Sequence, residues 1–183
     1  MSFKQQLAGW LRRFAPLRWL LALAVRFLVP RHYLGAAGVI FNDAGQILLI
    51  EHVFRSHFPW GLPGGWVEYG ESPAETVRRE VEEELGLRVE VKQLLLCELQ
   101  GGHLPHTTAY GLGLVYYCRL AGSNPLGFNS AAKVYQSHEV LSVEWIDPVA
   151  IKYNLAPLER KAIPLAKQAF DQEQVKKRLE IRN

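Results

Sequence analysis

Glu80, Glu83 and Glu84 sit together in the stretch REVEEELGL, Arg79 to Leu87. At helical spacing Glu80 stands one turn from each of the other two, and neither Glu80 nor Glu84 has a cation one turn away inside the helix. The helical wheel also sets Glu84 at the edge of an apolar stripe, half turned toward the core, where water screens like charges least. Each like-charge pair costs about 0.2–0.5 kcal/mol on an exposed helix. Desolvation raises that cost, and a bound divalent cation is the natural compensation. Such a cluster suits a hard ion, Mg²⁺ or Mn²⁺, that keeps several waters and takes phosphate oxygens as further ligands. The plain alternative is a merely acidic surface helix.

The helix that carries these residues is delimited by its own sequence. Ser72 is an N-cap, Pro73 suits the first helical position, and Glu75 completes a Ser-x-x-Glu capping box. Gly86 stops the helix. Ala74, Val77, Val81 and Leu85 form one apolar stripe that must face a sheet. Glu75, Arg78, Arg79 and Glu82 lie opposite it, with Glu75–Arg79 and Arg78–Glu82 expected as i,i+4 ion pairs. Upstream, AAGVIFNDAGQILLIE reads as a hairpin turning at Asn42 to Gly45. HFPWGLPGG approaches a short strand expected in WVEY. Further strands are expected in LRVEVKQLLLCEL, YGLGLVYYCRL and VLSVEWI, then a helix from Pro157 to about Phe170 and a charged tail, QEQVKKRLEIRN, either helical or frayed.

The stretch GWVEYGESPAETVRREVEEELGL fits without departure the pattern G-x5-E-x7-R-E-U-x-E-E-x-G-U, where U is a bulky aliphatic residue, through Gly65, Glu71, Arg79, Glu80, Val81, Glu83, Glu84, Gly86 and Leu87. In this it resembles the Nudix box, and the strand order from about Arg31 to Asp147 is similar to that family. The resemblance implies an α/β Nudix fold, a mixed β-sheet sandwiched between helices. It also implies a Mg²⁺- or Mn²⁺-dependent pyrophosphohydrolase acting on a nucleoside diphosphate linked to another moiety. Glu80, Glu83 and Glu84 match the family's metal ligands, and the carbonyl of Gly64 matches a backbone ligand. Gly65, Glu71, Arg79 and Gly86 match structural positions, Arg79 and Glu71 as a buried ion pair that steadies the loop. The wheel sets Arg79 on a different face from the metal glutamates.

Hydrolysis of an anhydride needs charge neutralisation, an in-line water and a general base. Two residues compete for the last role. Glu80 belongs to the box, whereas Glu139, in a loop before a strand, resembles a further catalytic glutamate of many members and is preferred as base or extra metal ligand. His138 beside it reads as a solvated loop residue. Weaker candidates for substrate contact are Arg55 for a phosphate or terminal sugar, Trp60 and Tyr110 for stacking together with Phe58 and Tyr135, and His103 in GHLPH. The marks of NADH-cleaving, coenzyme A-cleaving and dinucleoside polyphosphate-cleaving subtypes are absent. Gly102 and His103 stand where many ADP-ribose enzymes have a proline, with Pro105 close by. An ADP-ribose or nucleotide-sugar substrate is preferred slightly over a nucleoside triphosphate. The alternative is a catalytically silent Nudix-fold binding or regulatory module.

A chain of 183 residues with 49% hydrophobic content supports one core. The expected division is a helical extension, residues 1–30, and a Nudix domain, residues 31–183. The net charge of +3 is uneven, because the first 42 residues hold Lys4, Arg12, Arg13, Arg18, Arg26 and Arg31 and no acid. That arm alternates apolar and basic residues, and its uninterrupted apolar core, WLLALAV, is too short to span a bilayer. Packing on the domain or on a second subunit, binding to anionic lipid, and a signal peptide are its three readings. Basic residues gathered in one apolar arm point away from nucleic acid. Cys97 and Cys118 have no metal or disulfide spacing and read as small buried residues of a reducing compartment, so a cytoplasmic protein, peripheral to the membrane if the arm binds lipid, is expected.

Overall fold

The computed structural model describes residues 16, 19–20, 33–100, 111–121 and 138–182. In the extension only Pro16, Trp19 and Leu20 are described, each helical. The expected contacts of the arm with lipid or another subunit therefore lie outside the described residues, as do His103, Tyr110 and Tyr135. No helix among the described residues is long and apolar enough to cross a membrane.

Among the described residues, seven strands and two helices follow one another from Tyr33. They are β1 (Tyr33–Phe41), β2 (Ile47–His52), β3 (Trp60–Gly61), β4 (Gly64–Trp66), α1 (Pro73–Leu85), β5 (Val89–Gln100), β6 (Gly111–Leu120), β7 (Val140–Ile146) and α2 (Pro157–Arg182). The sheet runs β3-β2-β1-β6-β5, with β4 added to β1 and β7 to β2. It is mixed, since β1 and β6 are parallel and the other pairs antiparallel. The hairpin turns where the sequence places it. Asn42 Oδ1 accepts the Gln46 amide at 2.9 Å and closes the turn.

Period-two alternation divides the central strands between two cores. Ile40, Leu48 and Ile50 face α1 and pack with Val77, Val81 and Leu85. Val39, Phe41, Ile47 and Leu49 face the other way and pack with Leu158, Ala162, Ala166 and Phe170 of α2. At roughly 1.5–3 kcal/mol per fully buried aliphatic side chain, the α1 stripe is what fixes the glutamates over the sheet.

The structure corrects several expectations. The short strand is Gly64–Trp66 and not WVEY. Val67 donates to the Leu34 carbonyl at 2.8 Å, after which β1 offers almost no edge left to pair with. Of the two readings of the charged tail the helical one holds: the last helix runs past Phe170 to Arg182 and carries the i,i+4 pairs Lys167–Asp171 and Glu173–Lys177. Glu173 also accepts a hydrogen bond from the Tyr117 hydroxyl at 2.5 Å. Cys118 is buried, but Cys97 is exposed on the edge strand β5, where it lacks a second neighbouring strand.

Candidate active site

The helix α1 begins as its sequence dictates. Ser72 Oγ accepts the Glu75 amide at 3.3 Å, Glu75 Oε2 accepts the Ser72 amide at 2.7 Å, and Gly86 closes the far end in the left-handed region at φ 65°. That commitment removes Glu75 from the expected pair with Arg79. The Arg78–Glu82 pair is not formed either: Arg78 donates to the Ala74 carbonyl and Glu82 faces Arg88 at 3.7 Å.

Arg79 instead turns toward the loop before the helix. Its Nε and Nη2 donate to Glu71 at 3.2 and 2.8 Å, its Nη2 also to the Trp66 carbonyl, and its Nη1 to Glu80 at 2.9 Å and Glu83 at 3.2 Å. The expectation that Arg79 lies on a face apart from the metal glutamates is therefore overturned. A wheel places Cα directions, whereas an arginine head swings to whichever carboxylates surround it. Glu71 accepts in addition from the Glu68 amide and the Thr76 hydroxyl, and with these donors its carboxyl is held down at about 2. The loop from Trp66 to the helix start is thus tied to α1 by one carboxylate and one guanidinium.

Behind this pair opens a cleft of about 650 Å³. Its wall includes Gly64, Gly65, Glu80, Glu83, Glu84, Glu139 and Arg55, so the topology brings together most of the residues the sequence singled out. Glu84 is buried, and its Oε2 has no hydrogen-bond partner among the described residues. Burial first, then the nearby charges of Glu80 and Glu139, push its carboxyl up to about 7, opposed by Arg55 and a hydrogen bond from the Gly64 backbone. Burial also raises Glu80 against the pull of Arg79. Among the described residues no three acidic, His or Cys side chains converge at ligating distance, since Arg79 draws Glu80 and Glu83 to itself. The donor set nevertheless fits a hard cation: adjacent carboxylates, one of them with a buried oxygen that no described residue satisfies.

Gly64 permits this arrangement. Its φ is +152°, and a Cβ there would overlap the backbone of Ala36 and Ala37 on β1. Gly64→Ala is expected to lower stability by more than about 2 kcal/mol in a urea melt; an unchanged midpoint would show that β4 can move away at no cost.

Other candidates fall elsewhere. Trp60 is not in the cleft; it stacks on Tyr153 at 4.0 Å against the α2-side core, because its place on β3 directs it there. The cleft's aromatic rim is instead formed by Trp66, 61% exposed with its ring 5.6 Å from Tyr33, and by Phe54. His138 is exposed. Sequence reasoning also passed over His52 and Glu159, both buried in the cleft wall. His52 closes an apolar strand run, which is a usable signal for a residue at a strand end. Glu159, in the first turn of a helix, looks like an ordinary solvated acid.

Comparison with known proteins decides the family. A model of the NUDIX domain matches residues 31–166. The chain belongs to the Nudix family. It is 33% identical over 127 residues to a MutT-like protein of Streptomyces ambofaciens, covering 69% of this chain and 71% of that one. It is 32% identical to the Xenopus laevis protein called nucleoside diphosphate-linked moiety X motif 6, covering 67% of this chain but only 53% of the relative. The NUDIX domain of Shewanella oneidensis NrtR, solved in complex with ADP ribose, superposes with a TM-score of 0.60 at 19% identity over 93% of this chain and 99% of that one, a likeness of fold. The mixed sheet between α1 and α2 is accordingly the Nudix fold, and this is a family that works with divalent metal ions.

Proposed function

We propose that this Nudix protein is a metal-dependent hydrolase that cleaves the pyrophosphate bond of a nucleoside diphosphate linked to a further moiety, with ADP-ribose or a nucleotide sugar preferred over a nucleoside triphosphate. The observation that carries it is the buried Oε2 of Glu84, without a hydrogen-bond partner among the described residues and set among Glu80 and Glu139 in a cleft. A purely structural site would not leave one oxygen of a buried carboxylate unsatisfied. Glu80, Glu83, Glu84 and the carbonyl of Gly64 would hold Mg²⁺ or Mn²⁺. Such an ion, when bound, neutralises phosphate oxygens and lowers the pKa of a coordinated water.

The chain's own groups supply the remainder. Glu139 stands at the start of β7, where the Val53 amide bonds its carbonyl at 2.9 Å and pins its backbone beside the end of β2. From there its carboxylate takes the proton of the attacking water while the water oxygen bonds to one phosphorus and the bridging P–O bond breaks, releasing two monophosphate products. Glu71 and Arg79 keep the loop and α1 in register, and Arg55 faces the substrate from outside α1. The preference for a nucleoside diphosphate derivative draws on the name of the Xenopus relative, and that for ADP-ribose on the ligand of the Shewanella domain. The runner-up, a Nudix-fold module that binds without cleaving, is weakened by the retention of every glutamate of the box.

A phosphate-release screen with Mg²⁺ and Mn²⁺ over nucleoside triphosphates, nucleotide sugars, ADP-ribose, NADH and dinucleoside polyphosphates tests this reading. One substrate cleaved well above the others is expected; a folded protein that cleaves none of them sinks it. In the same assay Glu139→Gln is expected to lower kcat by about 10²-fold or more, with the metal requirement unchanged if Glu139 is the base. A raised metal requirement would make it a ligand instead.

A further inference from the structure

The cleft holds two arginines among the described residues, and they are placed differently. The guanidinium of Arg79 is occupied by Glu71, Glu80, Glu83 and the Trp66 carbonyl. Arg55 donates only its Nη1, to Glu159 Oε1 at 2.9 Å; its Nε and Nη2 make no hydrogen bond to described residues, and its side chain is 37% exposed. Glu159 is 4% exposed and anchored on both oxygens, Oε1 by the Leu62 amide at 3.3 Å and Oε2 by the Ala156 amide at 3.3 Å. A carboxylate so fixed and so deep holds a guanidinium in one place.

The backbone makes room for the pair. A Cβ on Gly61 would lie 2.5 Å from Arg55 Nη1 and 2.7 Å from Glu159 Oε1, and Gly61 is not among the glycines with positive φ. What Gly61 contributes is the missing methyl and not a special conformation. His52, 9% exposed on the same cleft wall, keeps its Nε2 without a partner among the described residues. The cleft therefore pairs a cluster of glutamates on α1 with a cation whose fork is half occupied and locked from α2, a geometry that matches the oxygens of a phosphate.

We propose that Glu159 is a positioning residue that presents the Nε and Nη2 of Arg55 to a substrate phosphate, so that α2 builds the cationic side of the cleft. The inference rests on the hydrolase reading only in taking the ligand to be a nucleoside diphosphate. ADP with Mg²⁺, titrated calorimetrically into the full chain, is the probe. Arg55→Ala is expected to weaken ADP binding by about tenfold or more, and Glu159→Gln and Gly61→Ala by about three- to tenfold each. Neither of the latter should weaken it further in an Arg55→Ala background, which a general structural role would do. Gly61→Ala presses only on the ends of two side chains, so it tests the idea even if Glu159→Gln folds poorly. ADP binding independent of Arg55, additive losses, or no ADP binding by the wild type overturns the proposal. Arg55-independent binding in a protein that still hydrolyses its substrate removes this inference alone, whereas Arg55-dependent binding in a protein that cleaves nothing supports it and removes the hydrolase.

Discussion

Glu84→Gln is expected to abolish turnover and at the same time to stabilise the metal-free protein. Both effects come from one buried oxygen. On the proposed reading Glu84 would hold the cation that neutralises phosphate charge, and weakening that hold removes several kcal/mol of transition-state stabilisation, a fall of roughly 10³-fold or more in kcat. The stability effect has the opposite sign. In the folded state the Glu84 carboxyl sits at about 7, above its ordinary 4.5. The folded chain therefore holds this proton over a range where the unfolded chain has released it, and stability declines as pH rises from about 4.5 to about 7. Above that window the ionised, buried group costs on the order of 3 kcal/mol, which the amide does not. Chemical denaturation of wild type and variant without metal, from pH 4 to 8, checks it: the variant should gain on the wild type through the window and stay ahead above it. Added Mg²⁺ at pH 8 should raise the wild-type midpoint more than the variant's. A variant that melts early at pH 8, or one that turns over normally, would make Glu84 a packing residue.

Arg79→Ala should produce a loss of both stability and activity, because the guanidinium joins four partners that lie on three sides of it. Removing it leaves Glu71, Glu80 and Glu83 facing one another without a cation. Breaking a well-buried pair costs about 3–5 kcal/mol; with 25% of the Arg79 side chain exposed, about 2–3 kcal/mol is expected. The loop from Trp66 to Ser72 then keeps only the Thr76–Glu71 bond and the capping box as ties to α1, and displacement of a site by an ångström costs roughly 10²-fold in rate. Arg79→Lys separates charge from geometry. It keeps the cation but not the fork, so it should recover most of the stability and little of the activity. Equal recovery of both would mean that charge alone holds the loop. Urea melts and kcat on the best substrate from the screen measure the two quantities side by side.

Much of the scaffold was legible because its signals are local. Ser72, Pro73, Glu75 and Gly86 act within one turn of the helix ends, and the stripe of Val77, Val81 and Leu85 repeats at the helical period, so α1 and its buried face follow from spacing alone. The same holds for the hairpin, where the Asn42 side chain closes a turn onto a residue four positions away. The edge position of Glu84 on the wheel already implied partial burial. Where local rules compete, spacing alone does not rank them: Glu75 suits both the cap and an i,i+4 pair with Arg79, and the cap claims it, while the strand after the Gly-Gly pair starts earlier than WVEY because its length depends on where β1 begins.

By itself, then, the sequence determined the helix, its caps, the clustered glutamates and the family they mark, since all of these depend on residues within a few positions of one another. Only the tertiary structure decided which carboxylate is stranded, which arginine remains available and which aromatic faces the cleft. Arg55 and Glu159 are 104 positions apart, and a helix-start acid becomes a buried anchor only when α2 packs on the sheet and brings it to Gly61 and the Leu62 amide. Trp60 and Trp66 have the same chemistry, and alternation gives only the parity of a strand position, not what stands opposite it. Burial, desolvation and the reach of a long cation belong to two surfaces meeting, and no single stretch of chain contains both.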